Sequence, residues 1–191
     1  MKLRDMMLAS MFAAVIAILG FLPALQIPFS PVPITAQTLG VMLTGAVLGA
    51  KRGALSLAIF LLLIVIGAPV LPGGRTGITV FMGPSGGFLL SWPIAAFAIG
   101  WFVDHTKGKI SFWKLMLYTF IGGIVIVYLI GGAYMAFVTQ IPLAKAYISC
   151  LIFIPGDVIK CILASLFASQ LHKNSVMMRM ASTQRKIRTS S

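Results

Sequence analysis

The stretch "IPGDVIK", Ile154 to Lys160, sets Asp157 and Lys160 three positions apart inside one of the most apolar segments of the chain. At that spacing on a helix a carboxylate and an ammonium face each other. Each costs about 2.5–3.5 kcal/mol at a bilayer centre on insertion scales, a cost that pairing largely offsets. In a last helix beginning near Ala146, Asp157 lies about 16 Å and Lys160 about 21 Å along the axis, roughly mid-bilayer. Pro155 and Gly156 break the hydrogen-bond ladder just before them, and the freed backbone groups must be met by protein or by a cavity. Gly156, Ala164 and Ala168 recur with Lys160 at four-residue spacing, which turns this face toward neighbouring helices. A kink, an ion pair and a small-residue face together predict a ligand site. Two alternatives stay open: a structural pair that fixes the helix, and an intramembrane enzyme with Asp157 and Lys160 as acid and base.

Other chemistries lack their residues. The sequence has no G-x-x-x-x-G-K-[ST], hence no recognisable ATP site of its own. His105 and His172 fall at predicted cytoplasmic helix ends without a Cys or carboxylate cluster, so neither a metal nor a hydrolytic triad is expected, and no cofactor is implied. Cys150 and Cys161, about 16 Å apart on a common helix, are read as packing thiols. "GPSGG", 83–87, is either an anion-cradling turn at a helix start or a plain proline turn. Ala9, Ala13 and Ala17 line one helix face and permit a close helix contact, within the chain or with a partner.

The elements that carry these residues are membrane spans. Apolar residues make up 59% of the 191 and charged ones 9%, a balance that excludes an ordinary soluble domain. About 20 apolar residues cross a bilayer core, and six segments suit that length, at 5–22, 34–50, 53–70, 86–103, 112–138 and 146–171. The first is read as a retained helix, since no clean A-x-A cleavage site follows it. Placing both termini in the cytoplasm puts twelve of the fifteen Lys and Arg residues inside: Lys2, Arg4, Lys51, Arg52, Lys107, Lys109, Lys114, Lys173, Arg179, Arg185, Lys186 and Arg188. Arg75 and Lys145 lie outside and Lys160 within a span. The basic excess thus reads as cytoplasmic loops facing lipid headgroups, not as a nucleic-acid surface. The expected fold is an all-α integral membrane protein of a cytoplasmic membrane, with six helices over residues 1–172. A basic tail, 173–191, lacks periodicity and is expected to be disordered. Of the outer connections, the Pro- and Gly-rich run 69–87 exceeds a tight turn and includes Ile78, Val80, Phe81 and Met82, so it is expected to cap the bundle and face it.

Four motifs in order, "SPVPITAQTLGVMLTGAVLG" (30–49), "GAPVLPGG" (67–74), "GPSGGFLL" (83–90) and "PGDVIK" (155–160), resemble the BioY family, biotin-binding S components of energy-coupling-factor (ECF) transporters. The resemblance extends over most of the chain. It implies a six-helix subunit that takes biotin from outside and joins a transmembrane coupling subunit and two cytoplasmic ATPases, with Ala9 and Ala13 in the docking surface. Departures are Ser85 for a common threonine, Pro72 for a small residue, and Arg75 and Thr76 for frequent glycines. With biotin as ligand, Asp157 is expected to accept from the ureido N–H groups and Lys160 to donate to the carbonyl, or to the carboxylate in a reversed pose. Arg75 is the expected partner of the valerate carboxylate. Thr35, Gln37, Ser85 and Gly86 complete the expected substrate-binding set. Another small vitamin or a biotin precursor is the alternative within transport.

Overall fold

The structure, a computed structural model, describes residues 3–26, 31–107 and 110–189, with side chains as far as 174. Ser30, Lys2, Lys109 and the tail cations Arg179, Arg185, Lys186 and Arg188 fall outside the described side chains. Regular structure among the described residues is helical: α1 (Leu3–Gly20), α2 (Gln37–Leu48), α3 (Ala50–Val65), the single turn α4 (Thr79–Met82), α5 (Gly86–Asp104), α6 (Phe112–Phe120), α7 (Val127–Thr139), α8 (Leu143–Leu151) and α9 (Ile154–Thr189). A π-helical segment, Ile121–Ile126, joins α6 to α7. Four helices are long and apolar enough to cross a membrane, Leu3–Gly20, Gly86–Asp104, Phe112–Thr139 and Ile154–Asn174, and Gln37–Leu48 is a shorter apolar one. The chain is an integral membrane protein. α9 continues as helical backbone across the segment expected to be irregular from Lys173 onward.

α5 lies at the centre, packed on α3, α7 and α2, while α9 packs on α2 and α6. Small residues make the crossings close. A side chain at Gly45 would meet Ala96 and Ile99 of α5, and one at Gly100 would strike the backbone of Gly49 and Ala50. Without a hydrophobic drive between helices in lipid, such backbone approach supplies the packing energy. At the sharp α2–α3 junction Gly49 has φ 79°, and Asp104 Oδ2 accepts from the Ala50 N–H at 2.9 Å. The carboxylate thereby closes the N-terminus of α3, where orphan donors and the helix dipole favour an anion.

Two connections fold over one end. Leu25 and Ile34 exchange backbone hydrogen bonds at 3.0 and 2.9 Å, pinning the loop after α1. The loop after α3 is tied back to it: Thr76 Oγ1 donates to Ile64 O and Ala68 O, and the Gly77 N–H donates to Ile64 O. Leu71 and Pro72 of this loop are buried, and Val80 and Phe81 pack on the core. Ile78 and Met82, expected to face the bundle, are instead 59% and 67% exposed. The turn of α4 has two sides, and only one meets protein.

The last predicted span is broken. α8 ends at Leu151, α9 begins at Ile154, and Pro155 sits in the first turn of α9, where its missing N–H costs nothing. The interruption thus precedes Pro155 by two residues and makes Asp157 a first-turn carboxylate.

Candidate functional site

Asp157 and Lys160 meet in a cavity of about 610 Å³, its open mouth included. Asp157 is 4% exposed. Its Oδ1 accepts from Lys160 Nζ at 2.8 Å and from Thr38 Oγ1 at 3.2 Å, and its Oδ2 accepts from Tyr128 OH at 2.6 Å. Lys160 Nζ also donates to Thr35 O at 2.7 Å and Thr38 Oγ1 at 2.9 Å. An ammonium has three hydrogens, and Lys160 has three acceptors of its own chain around it. The N-terminal dipole of α9 adds to the stabilisation of Asp157. Breaking a buried, hydrogen-bonded pair leaves an uncompensated charge and costs about 3–5 kcal/mol.

Three other elements supply the walls. α2 brings Gln37 and Thr38, α5 brings Phe88, Leu89 and Trp92, and α7 brings Val127 and Tyr128. The loops after α1 and α3 contribute Val32, Ile34, Leu71, Pro72 and Arg75, and Phe153 lies between α8 and α9. Phe153 stands edge-on to both Phe88 and Tyr128, ring centroids 6.3 Å away in each case. The result is an apolar, aromatic chamber with convergent polar groups on one side, the pattern of a site for an amphipathic small molecule.

Six expected residues, Asp157, Lys160, Arg75, Gln37, Thr35 and Ser85, line this one cavity. Gln37 is buried and its Nε2 donates to Ile16 O at 3.2 Å and Val70 O at 3.0 Å, so its amide hydrogens staple α1 to the loop after α3. Its carbonyl oxygen is the group left to a ligand. Arg75 is exposed, with its Nε donating to Pro72 O at 3.4 Å. Gly86 is not in the wall. A side chain there would collide with the carbonyl of Phe81, and one at Gly87 with Tyr134, so the glycines of "GPSGG" let the α4 turn and α7 approach α5.

Ala9 and Ala13 are 0% and 1% exposed, covered by helices of their own chain. The outward side of α1 carries Met7, Ser10, Met11, Ala14 and Ile18 instead. The buried Cys150 and Cys161 are free thiols, and Cys161 lies 3.7 Å from Met42 Sδ. Thr38, Trp92 and Tyr128 are site residues that sequence reasoning missed. Each is a polar group inside a predicted apolar span, the same signal that picked out Asp157 and Lys160, at lower contrast.

The BioY family model matches residues 1–176 of the chain. The chain belongs to the BioY family. Among BioY relatives, the biotin transporter BioY of Rhizobium etli is 47% identical over 171 residues, 87% of this chain and 91% of that one. The probable biotin transporter BioY of Bacillus subtilis is 43% identical over 171 residues, covering 90% and 91%. In three dimensions the chain is similar to the crystal structure of the S-component for biotin from an ECF-type ABC transporter, with a TM-score of 0.85 and 40% identity over 90% of this chain and 92% of that one.

Proposed function

We propose that this protein captures biotin at the outer side of a cytoplasmic membrane as the S component of an ECF transporter. The observation that carries this reading is the convergence of Asp157, Lys160, Gln37 and Arg75 on one apolar cavity in a BioY chain. Biotin combines an apolar bicycle with a ureido group and a carboxylate. The aromatic wall suits the bicycle. Asp157 and the Gln37 carbonyl are acceptors for the ureido N–H groups, and Arg75 at the exposed edge is the partner for the valerate carboxylate. Lys160 donates to three groups of its own chain, so its direct use by the ligand requires exchange of one of them. Thr35 contributes its backbone carbonyl through Lys160, and Ser85 also lines the cavity.

Six spans follow if α1, α2, α3, α5, the α6–α7 helix and the broken α8–α9 pair each cross once, with both termini inside, a reading supported by the segregation of basic residues. Residues 1–172 then form the membrane unit, and 173–191 a basic extension at the cytoplasmic surface. Release inward needs an energy source the chain does not encode, and we infer a coupling subunit with two ATPases. Docking through α1 would use the outward face beside Ala9 and Ala13, since this chain covers both. The relatives are transporters, which leaves the acid–base use of Asp157 and Lys160 without support.

Calorimetry on the purified chain tests the proposal. Biotin is expected to bind with one-to-one stoichiometry and to outcompete dethiobiotin, riboflavin and thiamine. Preferential binding of any of the three competitors would overturn the assignment.

A further inference from the structure

The cavity takes up one end of α5, and a second opening lies at the other. Phe97, Trp101, Asp104 and His105 of α5 border it with Lys51 and Arg52 of α3, around a groove of about 750 Å³, its open side included. From Trp92 in the cavity wall to Asp104 is about 18 Å of helix axis, so the two openings are distinct. Asp104 ends a span long and apolar enough to cross the membrane, which sets the groove at a membrane–water boundary.

Both signs of charge border this groove without meeting. Arg52 is answered by Asp5 at 2.8 Å, whereas Lys51 is exposed and has no partner among the described residues. Asp104 is exposed too; its Oδ2 takes the Ala50 N–H at 2.9 Å, and its Oδ1 has no donor among the described residues. Beside them Trp101 and Phe97 are 46% and 44% exposed, and the His105 ring lies over Trp101 at 4.4 Å between centroids. An exposed tryptophan at a span end belongs at headgroup level. Leu90, Ile94, Phe97 and Trp101 recur at spacings of four, three and four, an exposed stripe on one face of a helix otherwise packed on three others. The stripe is about 16 Å long, which is one leaflet of a bilayer core about 30 Å thick.

We propose that the groove binds one molecule of phosphatidylethanolamine. Its ammonium donates to Asp104 Oδ1, its phosphate pairs with Lys51, and an acyl chain lies along the stripe from Trp101 to Leu90. A choline headgroup has no N–H for Asp104, and an anionic headgroup without an amine brings a second negative charge to it. The lipid contact is independent of what the cavity at the other end of α5 takes up.

The test is native mass spectrometry of the detergent-purified full chain with dioleoyl phosphatidylethanolamine, phosphatidylcholine and phosphatidylglycerol. The acyl chains are the same, so retention reports the headgroup. One phosphatidylethanolamine is expected to be retained, about fivefold more tightly than either competitor. Equal retention of the three means unselective boundary lipid, and preference for phosphatidylglycerol means a purely basic surface; either overturns the proposal. Asp104→Asn keeps an oxygen for the Ala50 N–H and loses the charge, and is expected to lose the preference for ethanolamine. Lys51→Gln is expected to weaken both phosphatidylethanolamine and phosphatidylcholine about fivefold, since both carry the phosphate. Helix content by circular dichroism is expected to be unchanged in the two variants. Parent-like preference in a folded Asp104→Asn, or parent-like retention in Lys51→Gln, contradicts the assignment. Should Asp104→Asn not fold, Lys51→Gln at its exposed position decides.

Discussion

Each of the three carboxylates in the chain has a specific cationic or N–H partner: Asp5 meets Arg52 at 2.8 Å, Asp104 takes the Ala50 N–H, and Asp157 holds Lys160. In a chain so poor in acids, each one marks a place where a charge is worth its desolvation. Tyr128 tightens the third case, because a phenol at 2.6 Å from a buried carboxylate is a charge-assisted bond. Tyr128→Phe is expected to lower stability by about 1.5–3 kcal/mol, read as a fall in melting temperature of the detergent-solubilised protein, and to weaken biotin binding. Gly49→Ala places a methyl against Asp104 at a left-handed φ, and is expected to cost at least about 1–2 kcal/mol in the same assay. Asp157 and Lys160 were legible in the sequence because formal charges stand out against an apolar run. Thr38 and Tyr128 were not, since hydroxyls are common in membrane helices and only the fold brings these two from 119 and 29 residues away onto one carboxylate.

At the scale of elements, the site depends on interrupted helices. The break at 152–153 gives Asp157 a helix N-terminus, and the π turn Ile121–Ile126 sets the rotation of α7 relative to α6. One extra residue in a turn rotates the downstream helix by about 100°. Val127 and Tyr128, directly after it, face the cavity. Deleting the half-exposed Val125 removes that extra residue, so a plain α-helix presents Tyr128 at the same angle, and the expected outcome is unchanged helix content by circular dichroism with biotin binding retained. The broken last span was legible from Pro155 and Gly156, although its position shifted by two residues because proline suits a first helical turn. The π turn was not legible: Gly122 and Gly123 look like any small pair, and the side chains they accommodate, Ile99 and Met42, lie on other helices. Gly86 shows a related ambiguity, as a glycine reserved for backbone approach and one reserved for a ligand share the same sequence signal.

For the whole molecule, the fold is a bundle around α5 in which the loops after α1 and α3 and the broken last span enclose an amphipathic chamber. The all-helical membrane class was readable because long apolar runs dominate the sequence, and four of the helices are long and apolar enough to cross a membrane. The proposed six-span orientation is testable: single cysteines at 75 and 145 are expected to react with an impermeant maleimide from outside in intact cells, and cysteines at 51 and 107 only after permeabilisation. Equal labelling of the two pairs would contradict the six-span reading. The role of the chamber as a biotin site built on the Asp157–Lys160 pair is tested most directly by binding of labelled biotin to the purified parent, Asp157→Asn and Lys160→Ala side by side. Saturable one-site binding by the parent and at least a tenfold loss in each variant are predicted; equal binding by all three would contradict that role.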